Sequence, residues 1–166
     1  MIFVTIGNNP KGFPRLLEAV DAIAGQGVIR NETVFLQMGN TEKFCPRHCE
    51  HRPFLPMDEF QNYLEKSDLI ISHGGSGTVL SAVRLGRIPV VMPRRKKYSE
   101  HINDHQMQLV RALASEGRVI PAYEPENLPA AIEEARRRNM QTVPAPPSRM
   151  LELVARAIEE FENQRR

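Results

Sequence analysis

The 166-residue sequence has few cysteines, little net charge and no long apolar run. Its apolar stretches are far shorter than the ~20 residues that a membrane-spanning helix needs. The opening "MIFVTIG" has neither the basic start nor the long apolar core of a signal peptide. We therefore expect a cytoplasmic protein whose two cysteines are reduced. The net charge of +2 is too small to indicate nucleic acid as a partner.

Three familiar nucleotide-binding motifs are also missing. No Lys follows the last glycine of "HGGSGTV", residues 73–79, so this stretch is not the phosphate loop of an ATPase. Its glycine spacing differs from the dinucleotide fingerprint, and no acidic residue stands at the end of the next predicted strand. No Asp-x-Asp occurs, so nothing supports a diphosphate held by a metal ion. These absences disfavour ATP hydrolysis and NAD chemistry, and we expect no cofactor.

One cluster of residues invites a metal interpretation. Cys45, His48, Cys49 and His51 fall within seven residues. Structural zinc sites usually take two pairs of ligands separated by a longer loop. We therefore expect no metal site here.

Short apolar segments alternate with amphipathic ones along the first 142 residues. Apolar runs predict strands, and apolar residues at helical spacing between them predict helices. The predicted strands are "MIFVTI", "TVFLQM", "PFLP", "DLIIS", "IPVVM" and "RVIPA". This alternation predicts an α/β fold, with a Rossmann-like parallel sheet covered by helices on both faces. Residues 41–52 are polar and are expected to be irregular.

The Pro-rich segment "VPAPP", residues 143–147, marks a break. It separates the predicted Rossmann-like domain, residues 1–142, from a closing segment, residues 143–166. The closing segment carries an apolar stripe at helical spacing. Its members are Leu151, Val154, Ile158 and Phe161. We expect a C-terminal amphipathic helix that packs either on its own domain or on a partner.

The glycine stretch lies between a predicted strand and a predicted helix, at the sheet edge where such folds bind ligands. A helix N-terminus has free N–H groups and a partial positive charge, and glycines let an anion approach them. The alternative is a plain turn capped by Ser76. Because the stretch follows a buried strand, we favour the anion site. Its predicted residues are Gly74, Gly75, Ser76, Gly77 and Thr78.

A second polar segment, "PRRKKYSEHINDHQ", follows the next predicted strand. The four basic residues 94–97 offer charges for a diphosphate, although we expect at least two to be merely solvated. Glu100 offers a carboxylate to sugar or ribose hydroxyls. Asn103 or Asp104 contacts the ligand or caps the next helix. Gln106 both donates and accepts hydrogen bonds, which suits a sugar.

A transfer reaction also needs a base, and the sequence offers only weak candidates, namely His73, Glu100 and His101. For His73 we favour another role, in which it orients the glycine turn through a hydrogen bond. His105 contacts the sugar or packs at the start of a helix, and we favour the contact.

Together, "ISHGGSGTV" and "IPVVMPRRKKYSEHINDHQ" resemble the glycosyltransferase family 28 C-terminal domain. The chain looks most like the small subunits of two-component bacterial exopolysaccharide transferases. These are similar in turn to the small catalytic subunit of the eukaryotic dolichol-linked UDP-N-acetylglucosamine transferase. The resemblance covers roughly residues 1–120 and includes "MIFVTIG" and "CEHRPFLPMDEFQNYLEKSDLIISHGG".

The resemblance implies the C-terminal, donor-binding half of a GT-B glycosyltransferase, which usually binds a UDP-sugar. The diphosphate would face the glycine stretch together with Gly7, Asn8 and Asn9. The uracil would face Phe54 and Leu55, and the ribose and sugar would meet Glu100, His101, Asn103, Asp104, His105 and Gln106. Two departures stand out: the family's usual Gly-Thr is Gly7-Asn8, and its ribose-gripping helix Glu is absent at Ser81 and Ala82. Glu100 is the candidate replacement for that grip.

The resemblance further implies an inverting hexosyltransferase that acts on a lipid-linked saccharide. Family enzymes use two Rossmann-like halves, and this chain supplies one. We therefore expect a separate membrane-anchored partner that holds the acceptor and brings this chain to the inner face of the membrane. Two alternatives are a non-catalytic UDP-sugar-binding module that regulates a transferase, and an epimerase-like half-domain.

Overall fold

A computed structural model describes residues 1–29 and 32–140, which form six strands and five α-helices. The strands are β1 (Ile2–Thr5), β2 (Val34–Gln37), β3 (Glu50–Arg52), β4 (Leu69–His73), β5 (Val90–Met92) and β6 (Ile120–Pro121). The helices are α1 (Pro14–Gly25), α2 (Met57–Lys66), α3 (Ser76–Arg84), α4 (His105–Ser115) and α5 (Leu128–Met140). None of these helices is long and apolar enough to cross a bilayer. The predicted break at 143–147 and the closing helix lie outside the described residues.

The six strands form one parallel sheet in the order β3-β2-β1-β4-β5-β6. The chain moves outward from β1 to β3 and then returns to the other side of β1. This reversal brings the loops after β1 and β4 together at the carboxyl edge, where such sheets bind ligands. The predicted α/β, Rossmann-like class is confirmed.

The central strand β1 is buried on both faces, which explains its unbroken apolar sequence. Alternate residues of a strand point to opposite faces. Ile2 and Val4 accordingly join the large core cluster that also contains residues of α1 and α5. Phe3 joins the other face, where its ring stacks on Tyr63 with 5.3 Å between centroids. The sheet therefore has a packed core on each side.

The third strand is not where the apolar pattern predicts it. The segment "PFLP" is a loop, and the strand is the preceding polar Glu50–Arg52, which is exposed throughout. An edge strand pairs on one side only, so its side chains need not be apolar to be stable there. Backbone pairing continues just beyond it, because the carbonyls of Arg52 and Pro53 accept from Met38 N and Gly39 N.

Candidate functional site

The glycine stretch forms the turn between β4 and α3. Ser76 is the first helical residue, and Gly75 occupies the capping position. No side chain caps the helix, so the interpretation of Ser76 as a cap is wrong. The first N–H groups of a helix have no partner within the helix itself. This helix end is therefore free of a competing side-chain acceptor, as an anion site requires.

Two glycines at this edge make room for the ring of His73. A Cβ on Gly75 would lie 2.2 Å from His73 Nε2, and one on Gly7 would lie 2.7 Å from Cε1. Gly7 also has a φ of +69°, which favours glycine. The imidazole thus lies between the loop after β1 and the glycine turn. It packs against both loops, and the predicted orientation of the glycine turn through a hydrogen bond stays a prediction.

The imidazole of His73 is held in its neutral form. Burial, together with the nearby charges of Arg94 and His101, lowers its pKa to about 4, although a hydrogen bond with the Thr5 backbone opposes this shift. Its buried Nδ1 has no partner among the described residues. The ring is therefore an uncharged spacer at neutral pH.

Gly77 differs from all other glycines in the chain. Each of the other nine has a positive φ or a neighbouring group in the way of a Cβ. A Cβ on Gly77 would meet nothing within 4 Å, and Gly77 lies exposed in the first turn of α3. The protein's own packing therefore gives no reason for this glycine, although glycine in a helix costs about 0.5–1 kcal/mol relative to alanine.

The loop after β1 is shaped by residues that the sequence pattern did not single out. Asn40 Nδ2 donates to the carbonyls of Asn8 and Asn9, at 3.3 and 2.9 Å. Gln37 Nε2 donates to the carbonyl of Gly7 at 3.2 Å. The only sequence signal for these donors is polar side chains at the end of an otherwise apolar strand. Asn8 and Asn9 thus turn their carbonyls toward Asn40.

The segment proposed to face uracil lies next to this loop. Gln37 Nε2 also donates to the carbonyl of Pro53, at 3.0 Å. One amide therefore ties the loop after β1 to the start of that segment. Phe54 is 50% exposed, and Leu55 packs against the core around Phe3. An exposed ring beside the ligand edge is available to stack on a base.

Three of the four cations at residues 94–97 are engaged by the protein itself. Arg94 is completely buried and donates to backbone carbonyls. Arg95 and Lys97 both pair with Glu124. Lys96 is exposed, with no side-chain ion pair among the described residues. The expectation that at least two of these residues are merely solvated is thereby corrected, since three of the four stabilise this edge.

Glu100 is not free to grip a ribose or act as a base. Its carboxylate is 7% exposed and accepts from Arg15 Nε at 2.7 Å and Arg15 Nη2 at 2.8 Å. It also accepts from the backbone N–H of Arg95 at 2.9 Å. The sequence could not show this pairing, because Arg15 lies on α1, far away in the chain. Glu100 anchors the second polar segment to α1.

The remaining polar residues of this segment mostly order the start of α4. Asn103 Oδ1 accepts from His105 N and lies 3.0 Å from His101 Nδ1. Asp104 precedes the helix without capping it, and its Oδ1 accepts from Lys96 N. Gln106 Oε1 accepts from Arg94 N at 3.0 Å. The site contacts predicted for these residues stay predictions.

The loop that carries the cysteine and histidine cluster is held by Asp21. Among residues 1–29 and 32–140, no three His, Cys, Asp or Glu side chains are grouped as a metal site. Asp21 of α1 accepts from the backbone N–H groups of Arg47 and His48, which holds this loop in place. Burial raises the pKa of Cys49 to about 12, and the Asp21 carboxylate contributes, so its thiol stays protonated.

A cleft of about 680 Å³ lies beside the ion pair of Arg15 and Glu100, and the glycine stretch does not line it. Pro14, Tyr98 and Glu18 also line it. The exposed carboxylate of Glu18 would repel a diphosphate. We therefore do not assign this cleft as the donor site, despite its volume.

The chain matches a known protein family over most of its length. The model of the glycosyltransferase family 28 C-terminal domain matches residues 1–161. The chain is similar to the UDP-N-acetylglucosamine transferase subunit ALG13 of Homo sapiens, at 28% identity over 70% of this chain and 10% of that protein. The Yarrowia lipolytica ALG13 subunit is 27% identical over 70% of this chain and 60% of that protein.

A bacterial relative is the UDP-N-acetylglucosamine--N-acetylmuramyl-(pentapeptide) pyrophosphoryl-undecaprenol N-acetylglucosamine transferase of Bdellovibrio bacteriovorus. It is 26% identical over 77% of this chain and 40% of that protein. The chain thus spans between a tenth and three fifths of the length of these three relatives.

Solved glycosyltransferases share the fold. The glycosyltransferase of kitacinnamycin matches 98% of this chain and 42% of its own, at 20% identity and a TM-score of 0.62. The calicheamicin glycosyltransferase CalG4 matches 98% of this chain and 41% of its own, at 22% identity and a TM-score of 0.54. The shared architecture is one Rossmann-like half of a GT-B glycosyltransferase.

Proposed function

Because the chain belongs to the glycosyltransferase family 28 C-terminal domain, we propose that it is the donor-binding, catalytic subunit of a UDP-sugar-dependent glycosyltransferase. The proposed enzyme is inverting and metal-independent, and it transfers a hexose to a lipid-linked saccharide. A membrane-associated partner subunit supplies the acceptor side. The names of the human and bacterial relatives, which specify UDP-N-acetylglucosamine transfer and an undecaprenol-linked acceptor, support the donor and acceptor classes.

The observation that carries the proposal is the uncapped start of α3 with its bare Gly77. It lies after β4, beside the loop after β1, at the reversal point of the sheet. A ligand that approaches the helix closely is a reason for a glycine that the protein's packing does not require. A diphosphate fits this position by charge, because the N-terminus of a helix carries a partial positive charge.

In the proposed reaction UDP departs, and this edge of the sheet has to stabilise the negative charge on its diphosphate. A helix N-terminus contributes up to about 2 kcal/mol in favourable geometry. Each pre-aimed donor in a site without water contributes roughly 3–4 kcal/mol. Backbone donors from α3 and from the loop after β1 would together supply much of the leaving-group stabilisation.

The acceptor hydroxyl must lose a proton, and the described residues supply no obvious base for it. The pKa of His73, about 4, makes this residue a weak base, while Glu100 is held by Arg15. His101 remains a candidate. We assign the base to the proposed partner subunit, which would hold the acceptor.

Titration calorimetry tests the donor assignment directly. We expect the purified chain to bind UDP and UDP-N-acetylglucosamine, and to bind UMP and ADP at least tenfold more weakly. UMP lacks the second phosphate that would lie at α3, and ADP lacks the uracil. Equal affinity for UMP and UDP would contradict a diphosphate at this helix, and absence of any UDP binding would remove the proposal.

The variant Gly77→Ala distinguishes an effect on ligand binding from an effect on folding. Because a Cβ meets no protein atom there, we expect unchanged stability or a gain of up to about 1 kcal/mol. The same methyl group would stand between α3 and the diphosphate, so UDP affinity should fall by about 10–100-fold. Urea unfolding measures the first quantity and calorimetry the second. Unchanged UDP affinity would place the anion elsewhere.

A turnover assay tests the two-subunit arrangement. Purified chain with a UDP-sugar and a lipid-linked acceptor should transfer little sugar alone. Adding membranes that contain the partner should restore transfer, and Gly77→Ala should lower it again. Efficient transfer by the chain alone would contradict the partner. UDP binding without turnover under every condition would favour a regulatory module.

A further inference from the structure

Arg94 is a completely buried cation in the segment that follows β5. Its Nη1 donates to the carbonyls of Lys11 and Gly12, at 2.9 and 2.7 Å. Its Nη2 donates to the carbonyl of Ile6 at 3.0 Å. One guanidinium therefore holds both ends of the loop that follows β1.

The charge of this side chain is stabilised by dipoles and a ring, since no carboxylate contacts it directly among the described residues. Its Cζ lies 4.7 Å from the centre of the Phe13 ring, within the range of a cation–π contact. Burial lowers its pKa to about 10 and the charge of Glu100 opposes this, so Arg94 is cationic at neutral pH. Three of its five N–H groups are used on carbonyls, and no solvent reaches it.

The backbone of Arg94 connects the same loop to the glycine turn. Its N–H donates to Gln106 Oε1 at 3.0 Å. Gln106 packs on Gly74 so closely that a Cβ there would lie 2.9 Å from Gln106 Cβ. The contacts therefore run from the loop after β1, through Arg94 and Gln106, to the turn before α3. A change at any step alters the spacing of the two loops.

Resting on the proposed function, we propose that Arg94 is a positioning residue that sets the two diphosphate-binding loops at their working distance without touching the donor. A basic residue at the ligand edge suggests a direct phosphate contact. The complete burial of Arg94 and the use of its donors on Ile6, Lys11 and Gly12 argue for an indirect role. The planar fork, not the charge alone, is the essential property, because two separate nitrogens donate to three carbonyls.

Arg94→Lys is the decisive variant, since it keeps the charge and removes the fork. Hydrogen exchange and UDP titration are compared for the wild type, Arg94→Lys, Arg94→Met and the matched control Arg111→Met on the exposed face of α4. We expect amides of residues 7–13 to exchange at least tenfold faster in Arg94→Lys, with the amides of α5 unchanged. UDP affinity should fall at least tenfold in Arg94→Lys, and Arg111→Met should match the wild type.

The outcomes separate this proposal from its premise. If Arg94→Lys binds UDP as the wild type does, charge suffices and the positioning role is wrong. Uniformly faster exchange across the sheet would indicate a general structural role and also overturn it. If the wild type does not bind UDP, the proposed function fails, while the exchange of residues 7–13 still tests whether Arg94 holds that loop. Should Arg94→Met fail to fold, Arg94→Lys and the control carry the test.

Discussion

Replacing Glu100 by Ala is expected to lower the free energy of unfolding by about 3 kcal/mol, because it removes the main partner of the mostly buried Arg15. Arg15 then keeps a 3.7 Å contact with Glu124 and two carbonyl acceptors. Arg15 is 14% exposed, and two of its nitrogens donate to this carboxylate. The loss of Glu100 also leaves the N–H of Arg95 without its acceptor. Urea unfolding monitored by circular dichroism measures the effect.

Glu18→Ala is the matched control, because Glu18 lines the same cleft but is exposed. We expect it to change stability by less than about 0.5 kcal/mol. The single variants Arg15→Met and Glu100→Gln and their double variant form a cycle. The double variant should lose less stability than the sum of the two single losses, since the two residues interact directly. Additive losses, or a Glu100→Ala loss below about 1 kcal/mol, would contradict a structural ion pair.

Lowering the pH from 7 to 4 is expected to remove about 3 kcal/mol of stability through His73 alone. The pKa of the folded ring is about 4, below the ordinary value of 6.5. Between pH 6.5 and pH 4 the unfolded chain binds a proton at this ring and the folded chain does not, so stability falls as the pH falls. Each such pH unit costs about 1.4 kcal/mol. Above pH 6.5 the ring is neutral in both states, and this contribution is fully present.

The difference between two variants isolates this effect from titrating carboxylates. His73→Asn should lose the part of the slope between pH 6.5 and 4 that belongs to this ring. His51→Asn, at an exposed position on β3, should keep the wild-type slope. Urea unfolding at half-unit pH intervals gives the curves. A wild-type slope in His73→Asn would show that the ring accepts a proton inside the folded protein.

Much of the architecture follows from patterns along the chain. Buried parallel strands are short and apolar, so β1, β2, β4 and β5 are visible as runs, and the helices between them show their apolar faces. The edge strand Glu50–Arg52 is the exception, because its stability comes from backbone pairing with β2 and leaves no apolar trace. Hydrophobic patterning therefore identifies a buried strand better than an edge strand.

The candidate site is only partly predictable for a related reason. A loop after a buried strand and the glycines within it are local features, and they lead directly to the start of α3. The roles of individual side chains depend on neighbours from distant segments. The sequence suggests that Arg94 and Glu100 both contact the ligand. In the structure Arg94 holds the carbonyls of the loop after β1, and Glu100 pairs with Arg15.

By itself the sequence determined the alternation of strands and helices, the ligand edge, and the family to which the two polar segments point. These depend on local periodicity and on short motifs, which a chain carries in order. The tertiary structure decided which charges remain available to a ligand and which glycines serve the protein's own packing. Gly7 and Gly75 accommodate His73, whereas Gly77 has no such neighbour. The contact of Gly75 with His73 is local, whereas the contact of Gly7 arises only when β1 and β4 lie side by side, because Gly7 and His73 are far apart in the chain.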